Sequence, residues 1–99
     1  MYIDLAAEKL ITAERAGEKI AVEVKSFISN SPISEFHKAL GQFINHKTVL
    51  SQKEPERELY LAIPQTTYED FFQLELIQLV IKNQSIKLII YNPEQETIE

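Results

Sequence analysis

Residues 20–27 form an apolar segment that is interrupted by an acid and a lysine two residues apart. The segment predicts a β-strand, in which successive side chains point to opposite faces. Glu23 and Lys25 would then share one face, and Val22 and Val24 the other. Burying a carboxylate and an ammonium group costs free energy unless they pair or bind a metal ion. The pattern therefore indicates an ion pair or a metal-dependent site.

The chain before this strand predicts a second strand and a turn. Residues 2–6 predict a short strand, with Asp4 as an acid between apolar neighbours. Residues 7–15 are ambiguous, because an alanine-rich start favours a short helix whereas the Leu10-Ile11-Thr12 stretch suits an extended arm. Residues 16–18 predict a turn, since Gly17 supplies backbone freedom. We expect the two strands to be adjacent and antiparallel.

Apolar residues recur at helical spacing in two later segments. Ser31 is expected to cap the first helix, with Pro32 at its first position and its end near residue 50. Thr66 or Thr67 is expected to cap the second helix. The periodic residues of the two helices are Ile33, Phe36, Leu40, Phe43, Ile44 and Leu50, and then Tyr68, Phe72, Leu76, Leu79 and Val80.

Two further strands, residues 58–63 before Pro64 and residues 86–91, complete the predicted fold. The order strand, strand, helix, strand, helix, strand indicates an α/β protein with a mixed sheet flanked by helices. A chain of 99 residues with 44% hydrophobic content is long enough for one domain and short for two. We therefore expect a single domain over residues 1–99.

Composition limits the environment and the partners. The chain has no cysteine, so it offers neither a disulfide nor a thiolate ligand, and we expect it in a reducing cytoplasm. No stretch approaches the ~18 apolar residues of a membrane span, so we expect no membrane contact. The formal net charge is -5 and the basic residues are scattered. This negative charge argues against strong unaided DNA binding, although bound divalent cations can make the electrostatic potential locally positive.

The spacing of the acids resembles the PD-(D/E)xK nuclease core, because Asp4 is followed by 18 intervening residues and then by Glu23-x-Lys25. Magnesium prefers oxygen ligands, so Asp4 and Glu23 are predicted metal ligands, with the backbone carbonyl of Val24 as a further one. Lys25 would orient or activate the attacking water, or stabilise charge on the phosphate. These roles predict hydrolysis of a phosphodiester bond.

Each of these residues also has a structural interpretation. An acid and a lysine alternate on many exposed strands, where such pairs contribute little to stability. Gln42 and His46 are four residues apart, so they share a helix face that can look toward the strand pair. They resemble the Gln-x-x-x-Tyr motif of RecB-like nucleases, with Gln42 as a supporting catalytic residue and His46 in the position of the tyrosine. The alternative for Gln42 is a polar residue at a helix edge, and the alternative for His46 is a surface histidine.

Five blocks of the chain together resemble the XisH family: residues 2–8, 18–27, 39–43, 59–64 and 88–93. The most specific block is the AVEVKSF segment, residues 21–27. The resemblance implies a restriction-endonuclease-like fold. It also implies a role, with a XisI-like partner and a separate recombinase, in controlling excision of a cyanobacterial fdxN-type DNA element. A magnesium-dependent DNA endonuclease is the alternative, so enzymatic activity and direct DNA binding are left undecided.

The resemblance further implies an N-terminal stretch that this chain is expected to lack. In the family that stretch is expected to hold a helix packed on the first strand. Related nuclease folds take another acidic ligand from this helix, so the metal site is expected to be incomplete here. An apolar sheet edge or face would be left uncovered, which favours association, and a homodimer is therefore an expected alternative to a monomer.

Overall fold

The computed structural model describes residues 9–28 and 30–94 of the chain. The elements it describes are β1 (Lys9–Arg15), β2 (Glu18–Val24), α1 (Pro32–Lys53), β3 (Glu58–Pro64), α2 (Gln65–Asp70), α3 (Glu75–Asn83) and β4 (Lys87–Tyr91). The strands form one sheet in the order β1-β2-β3-β4. Strand β1 is antiparallel to β2, whereas β2, β3 and β4 are mutually parallel. The predicted mixed α/β sheet with flanking helices is confirmed.

A two-residue turn joins β1 to β2. Ala16 and Gly17 both have positive φ angles, 50° and 83°, as a type I′ turn requires, and the twist of such a turn suits a hairpin. Arg15 pairs with Glu18 on either side of the turn. Strand β1 occupies the segment that the sequence left ambiguous, so the extended alternative is correct and the helical one is wrong. The strand predicted at residues 2–6 lies outside the described residues.

Strand β2 ends at Val24, three residues before its predicted end. At Phe27 the backbone has a φ of 54°, a left-handed conformation that aromatic residues rarely adopt and that cannot continue a strand. The Phe27 ring packs edge-on against Phe72, with 5.5 Å between ring centroids, and also contacts Phe71. Both rings contact Phe36 of α1 as well. These aromatic contacts offset the strain of the turn.

Helix α1 begins where the sequence predicts it. Ser31 is the N-cap, its hydroxyl accepts a hydrogen bond from the backbone N–H of Ser34, and Pro32 follows at the first position. The helix continues to Lys53, where the backbone N–H of Glu54 donates to the last turn. Its buried residues are Phe36, Ala39 and Phe43. Their spacing of three and four residues makes one apolar stripe, which faces the sheet.

The single second helix predicted from the sequence is two helices. The backbone N–H groups of Phe71 and Phe72 both donate to the carbonyl of Thr67, which ends the regular helical pattern. Helix α2 follows Pro64 directly and has no side-chain cap, so the predicted threonine cap is wrong. In one continuous helix, Phe72 and Leu76 would share a face. The break allows Phe72 to be fully buried while Leu76 is 59% exposed.

Apolar side chains pack on both faces of the sheet. The helix-facing layer contains Ala21, Phe36, Phe43, Leu59, Leu61, Ile63, Phe72, Ile77 and Ile86. The opposite layer contains Ile20, Val22, Val24, Ala62, Ile89 and Tyr91. Although no described helix contributes to this second layer, all six of these residues are buried. The expectation that an apolar sheet edge or face is left uncovered stays a prediction. Among the described helices, none is long and apolar enough to cross a bilayer.

Arg57 ties the segment after α1 to the first two strands. Its Nη1 donates to the carbonyl of Ile20 at 2.9 Å and to that of Ala13 at 3.3 Å. Its Nη2 lies 3.2 Å from Oε1 of Glu54. The Arg57 side chain is only 13% exposed, so these charged hydrogen bonds are largely shielded from water. They hold the hairpin in place beside β3.

We predict that Arg57→Met lowers the free energy of unfolding by about 2 kcal/mol, because it removes hydrogen bonds from a charged group to two strand carbonyls. Urea denaturation followed by circular dichroism measures this loss. Glu54→Gln is the matched control, since Glu54 is 42% exposed and an exposed ion pair contributes about 0–1 kcal/mol. If both variants lose the same free energy of unfolding, the hydrogen bonds from Arg57 to the strand carbonyls do not stabilise the fold as predicted.

Candidate functional site

Four polar side chains meet between β2 and α1, and we call them the β2–α1 cluster: Glu23, Lys25, Gln42 and His46. Strand alternation places Glu23 and Lys25 on the face that α1 covers. Gln42 and His46 lie one turn apart on α1 and share one side of the helix. Two strand residues advance about 6.6 Å and four helical residues about 6 Å, so the two pairs match in spacing.

The four side chains of the cluster contact one another in the order His46, Glu23, Lys25 and Gln42. Nδ1 of His46 lies 3.1 Å from Oε2 of Glu23. Oε1 of Glu23 lies 3.9 Å from Nζ of Lys25, within ion-pair distance but longer than a hydrogen bond. Nζ of Lys25 donates to Oε1 of Gln42. Glu23 is thus held by His46 of α1, and Lys25, which follows β2, by Gln42 of α1.

The charged members of the cluster are buried. The side chains of Glu23 and Lys25 are 2% and 10% exposed, whereas that of His46 is 36% exposed. Removing both charges from water is costly, and their mutual attraction offsets this cost only when further hydrogen bonds are made. The cluster makes these bonds, and no buried side-chain nitrogen or oxygen in the described part of the chain lacks a partner. His46 is the most exposed of these three side chains.

The backbone at Lys25 is fixed by two strands. Its N–H donates to the carbonyl of Ala62 at 3.0 Å, which extends the pairing with β3 by one residue. Its carbonyl accepts a hydrogen bond from the Tyr91 hydroxyl of β4 at 3.1 Å, and this bond is buried. The cluster therefore lies at the carboxyl end of β2, the end of a parallel strand at which α/β proteins bind ligands.

The structure brings together three of the predicted catalytic residues, Glu23, Lys25 and Gln42. Asp4 lies outside the described residues. Val24 is the last residue of β2 and its side chain packs in the opposite layer. The ligand predicted at this position is its backbone carbonyl. The catalytic and metal-binding roles of these residues remain predictions.

His46 belongs to the cluster although the predicted site residues did not include it. Its signal in the sequence was the spacing of four residues from Gln42, which places both on one side of α1. Its contact with Glu23 depends on how α1 is aligned along β2, and no local pattern shows that alignment. The carboxylate, the ammonium group and the imidazole therefore form one connected unit.

The described residues supply one of the ligands that a magnesium site requires. Magnesium is usually held by one or two carboxylates together with water and substrate phosphate. Glu23 supplies one carboxylate, and within the described residues its Oε1 makes no hydrogen bond. Within residues 9–28 and 30–94, no three histidine, acidic or cysteine side chains are grouped to hold a metal ion. Glu23 is therefore the single described carboxylate for such an ion, and the predicted second one, Asp4, lies outside the described residues.

Comparisons with known proteins agree with one another. The family model described as XisH protein matches residues 1–99. The crystal structure of an XisH family protein from Nostoc punctiforme PCC 73102 is similar at 58% identity and a TM-score of 0.85, over 91% of this chain and 71% of that one. The crystal structure of an fdxN element excision controlling factor protein from Anabaena variabilis is similar at 56% identity and 0.85, over 91% and 70%. None of the curated proteins compared with the chain matches it.

We predict that Lys25→Met lowers the free energy of unfolding by about 3 kcal/mol, because it leaves the buried Glu23 carboxylate without its cation. In a double-mutant cycle with Glu23→Gln, the two losses should fall short of additivity by about 1–3 kcal/mol, as expected for residues in contact. Urea denaturation measures each corner of the cycle.

Lys19→Met is the matched control on the same strand. Lys19 lies 3.8 Å from Glu56 and its side chain is 50% exposed, so its loss should change stability by about 0.5 kcal/mol or less. Strict additivity of Lys25→Met and Glu23→Gln would contradict a coupled pair in the cluster.

Proposed function

This chain belongs to the XisH family, and we propose that it controls the site-specific excision of a DNA element of the fdxN type. The observation that carries the proposal is its 56% identity to the excision controlling factor protein from Anabaena variabilis, over 91% of this chain. The TM-score of 0.85 for the same pair extends the similarity from the sequence to the backbone. The proposed setting is the cytoplasm of a cyanobacterial cell.

On this proposal the protein acts through partners, a XisI-like protein and a separate recombinase. The formal net charge of -5 supports a role through partners, because binding the DNA backbone unaided requires clustered positive charge. Several cations are already neutralised by acids: Lys19 by Glu56, Lys87 by Glu58 and Arg57 by Glu54. The hydrogen bond and charge of Glu58 also raise the pKa of Lys87, so that amine stays paired and protonated. A recombinase would then supply the main contacts with DNA.

The second candidate is a magnesium-dependent endonuclease of the PD-(D/E)xK type with a restriction-endonuclease-like fold. It is favoured by one observation, the meeting of Glu23, Lys25 and Gln42 at the carboxyl end of β2. When bound there, magnesium would polarise a phosphate and lower the pKa of a water molecule. Gln42 would hold the ammonium group of Lys25, and Lys25 would stabilise negative charge on a phosphate oxygen.

We predict that excision of a reporter element requires this chain. The assay uses a host that carries the recombinase, a XisI-like protein and a plasmid whose marker gene is interrupted by an fdxN-type element. Amplification across the rejoined junction measures the excised fraction. Excision should fall to background when the chain is left out, and equal excision with and without it would contradict the proposal.

Glu23→Gln in the same assay separates the two candidates. A regulatory module keeps excision with this variant, whereas chemistry at Glu23 requires the carboxylate and excision is lost. Glu18→Gln is the matched control, because Glu18 is an exposed acid at the start of the same strand. Circular dichroism of both variants confirms that they are folded.

We predict for the endonuclease candidate that the purified chain nicks supercoiled, branched or single-stranded DNA when Mg²⁺ or Mn²⁺ is added. Glu23→Ala should reduce this cleavage at least a hundredfold, since it removes the only described carboxylate of the cluster. Gel electrophoresis of each substrate measures cleavage, with Glu18→Ala as the control. Absence of cleavage with either ion, alone and with the XisI-like protein, would exclude the endonuclease.

A further inference from the structure

We propose that helix α3 is the contact surface of a symmetric dimer, in which α3 of one chain packs antiparallel against α3 of a second copy. The surface consists of Glu75, Leu76, Leu79 and Lys82, and we call it the α3 patch. Its occupant is therefore a second copy of this chain. The inference goes beyond the proposed role in excision, which specifies no oligomeric state.

Helix α3 is apolar over more of its circumference than the sheet covers. Five of its nine residues are apolar: Leu76, Ile77, Leu79, Val80 and Ile81. Ile77 is buried in the helix-facing layer, whereas Leu76 and Leu79 are 59% and 57% exposed. A helix that is apolar on most sides is normally buried on most sides. The two outward leucines therefore indicate a contact that the single chain does not make.

The residue before α3 also carries an outward leucine. Leu74 occupies the N-cap position, where a side-chain oxygen is favoured, and it makes no capping hydrogen bond. The lack of a capping side chain costs about 1 kcal/mol. Because Leu74 is 52% exposed, its burial within the chain offsets little of this cost. Contact with a second chain would bury it further.

The charges of α3 match those of a second copy in the opposite direction. Glu75, Leu79 and Lys82 follow one another at intervals of four and three residues, so they lie on one stripe of the helix. Both charged residues are exposed, and within the described residues neither makes an ion pair. They are about 10.5 Å apart along the helix axis, too far to pair with each other. The stripe thus has an acid at one end, a base at the other and a leucine between them.

A twofold axis beside Leu79 fits both the leucines and the charges. It places Leu79 against Leu79 of the second copy, and it brings Glu75 to within one residue of the second copy's Lys82. The symmetry makes this ion pair twice. A parallel arrangement would instead place like charges against each other at both ends of the stripe, which is unfavourable. The charges therefore select the antiparallel pair.

The size of the α3 patch indicates a weak dimer. A helix of nine residues is about 13.5 Å long. Such a contact is smaller than the roughly 1,200 Å² that stable complexes bury, and small interfaces belong to transient complexes. We therefore expect a dissociation constant on the order of 100 μM.

The first test measures self-association of the full chain by sedimentation equilibrium, at concentrations from about 10 μM to 1 mM. Leu79→Glu should weaken the dimer about tenfold or more, since it brings two carboxylates together at the axis. Val49→Glu is the matched control, because Val49 is an apolar residue of α1 that is 51% exposed. It should leave the dissociation constant unchanged. Circular dichroism checks that each variant is folded.

Charge reversal tests the antiparallel arrangement separately from the leucines. Glu75→Lys leaves two cations on the stripe and Lys82→Glu leaves two acids, so each variant alone should associate about three- to tenfold more weakly. A mixture of the two variants should form a mixed dimer at least as tight as that of the unchanged chain. A chain with both changes should regain the unchanged constant. These differences should shrink in about 1 M NaCl, where the Debye length is about 3 Å.

Three results would overturn the proposal. The first is a chain that stays monomeric at the highest concentration. The second is a dimer that Leu79→Glu does not weaken, because its contact then lies on another face. The third is a monomer in which Leu79→Glu abolishes binding of the XisI-like protein, since the α3 patch then binds that partner. The excision assay is independent of all three results, so the proposed function can hold or fail separately.

Discussion

The free-energy cost of burying two opposite charges on one strand constrains much of this fold. Glu23 and Lys25 face the helix layer, where water is largely excluded, so α1 must bring polar groups to them. Gln42 and His46 do so because four helical residues span nearly the same length as two strand residues. A shift of α1 along β2 would separate Gln42 and His46 from the two charges that they contact. The cluster therefore sets the alignment of the helix on the sheet, whatever chemistry it also performs.

Local sequence patterns correctly predict the elements in which the local conformational preference and the tertiary packing favour the same structure. Ser31 and Pro32 mark the start of α1 because the cap and the fixed φ of proline act within one turn. The break between α2 and α3 could not be predicted, since helical spacing treats Phe72 and Leu76 as one face while packing buries only the first. Strand β2 also ends earlier than predicted because tertiary packing overrides the local pattern. Phe27 leaves the extended conformation to reach aromatic rings that are far away in sequence.

The candidate site also has one part that the sequence predicts and one part that depends on tertiary packing. The strand spacing of Glu23 and Lys25 and the helical spacing of Gln42 and His46 are visible in the sequence, and each pair is fully determined by its own element. Which member of one pair contacts which member of the other depends on the antiparallel alignment of α1 with β2. The buried residues of α1, Phe36, Ala39 and Phe43, adjoin this pair on the side of the helix that faces the sheet, so apolar packing and the polar contacts fix the same alignment. The contact between His46 and Glu23 is therefore a tertiary property.

The hydrogen bond from Tyr91 to the backbone of Lys25 has a consequence for the order of events during synthesis. The two residues are 66 positions apart, so the strand that ends at Tyr91 must leave the ribosome before the cluster has its full support. Until then β3, the parallel neighbour of β2, lacks its own partner β4, and the carbonyl of Lys25 lacks the Tyr91 hydroxyl. A nascent chain in which β4 is not yet made therefore carries the residues of the cluster but lacks one hydrogen bond that supports the backbone at Lys25. Strand β4 thus couples the support of the cluster to the later half of the chain, although β4 contributes no side chain to the four-residue cluster itself.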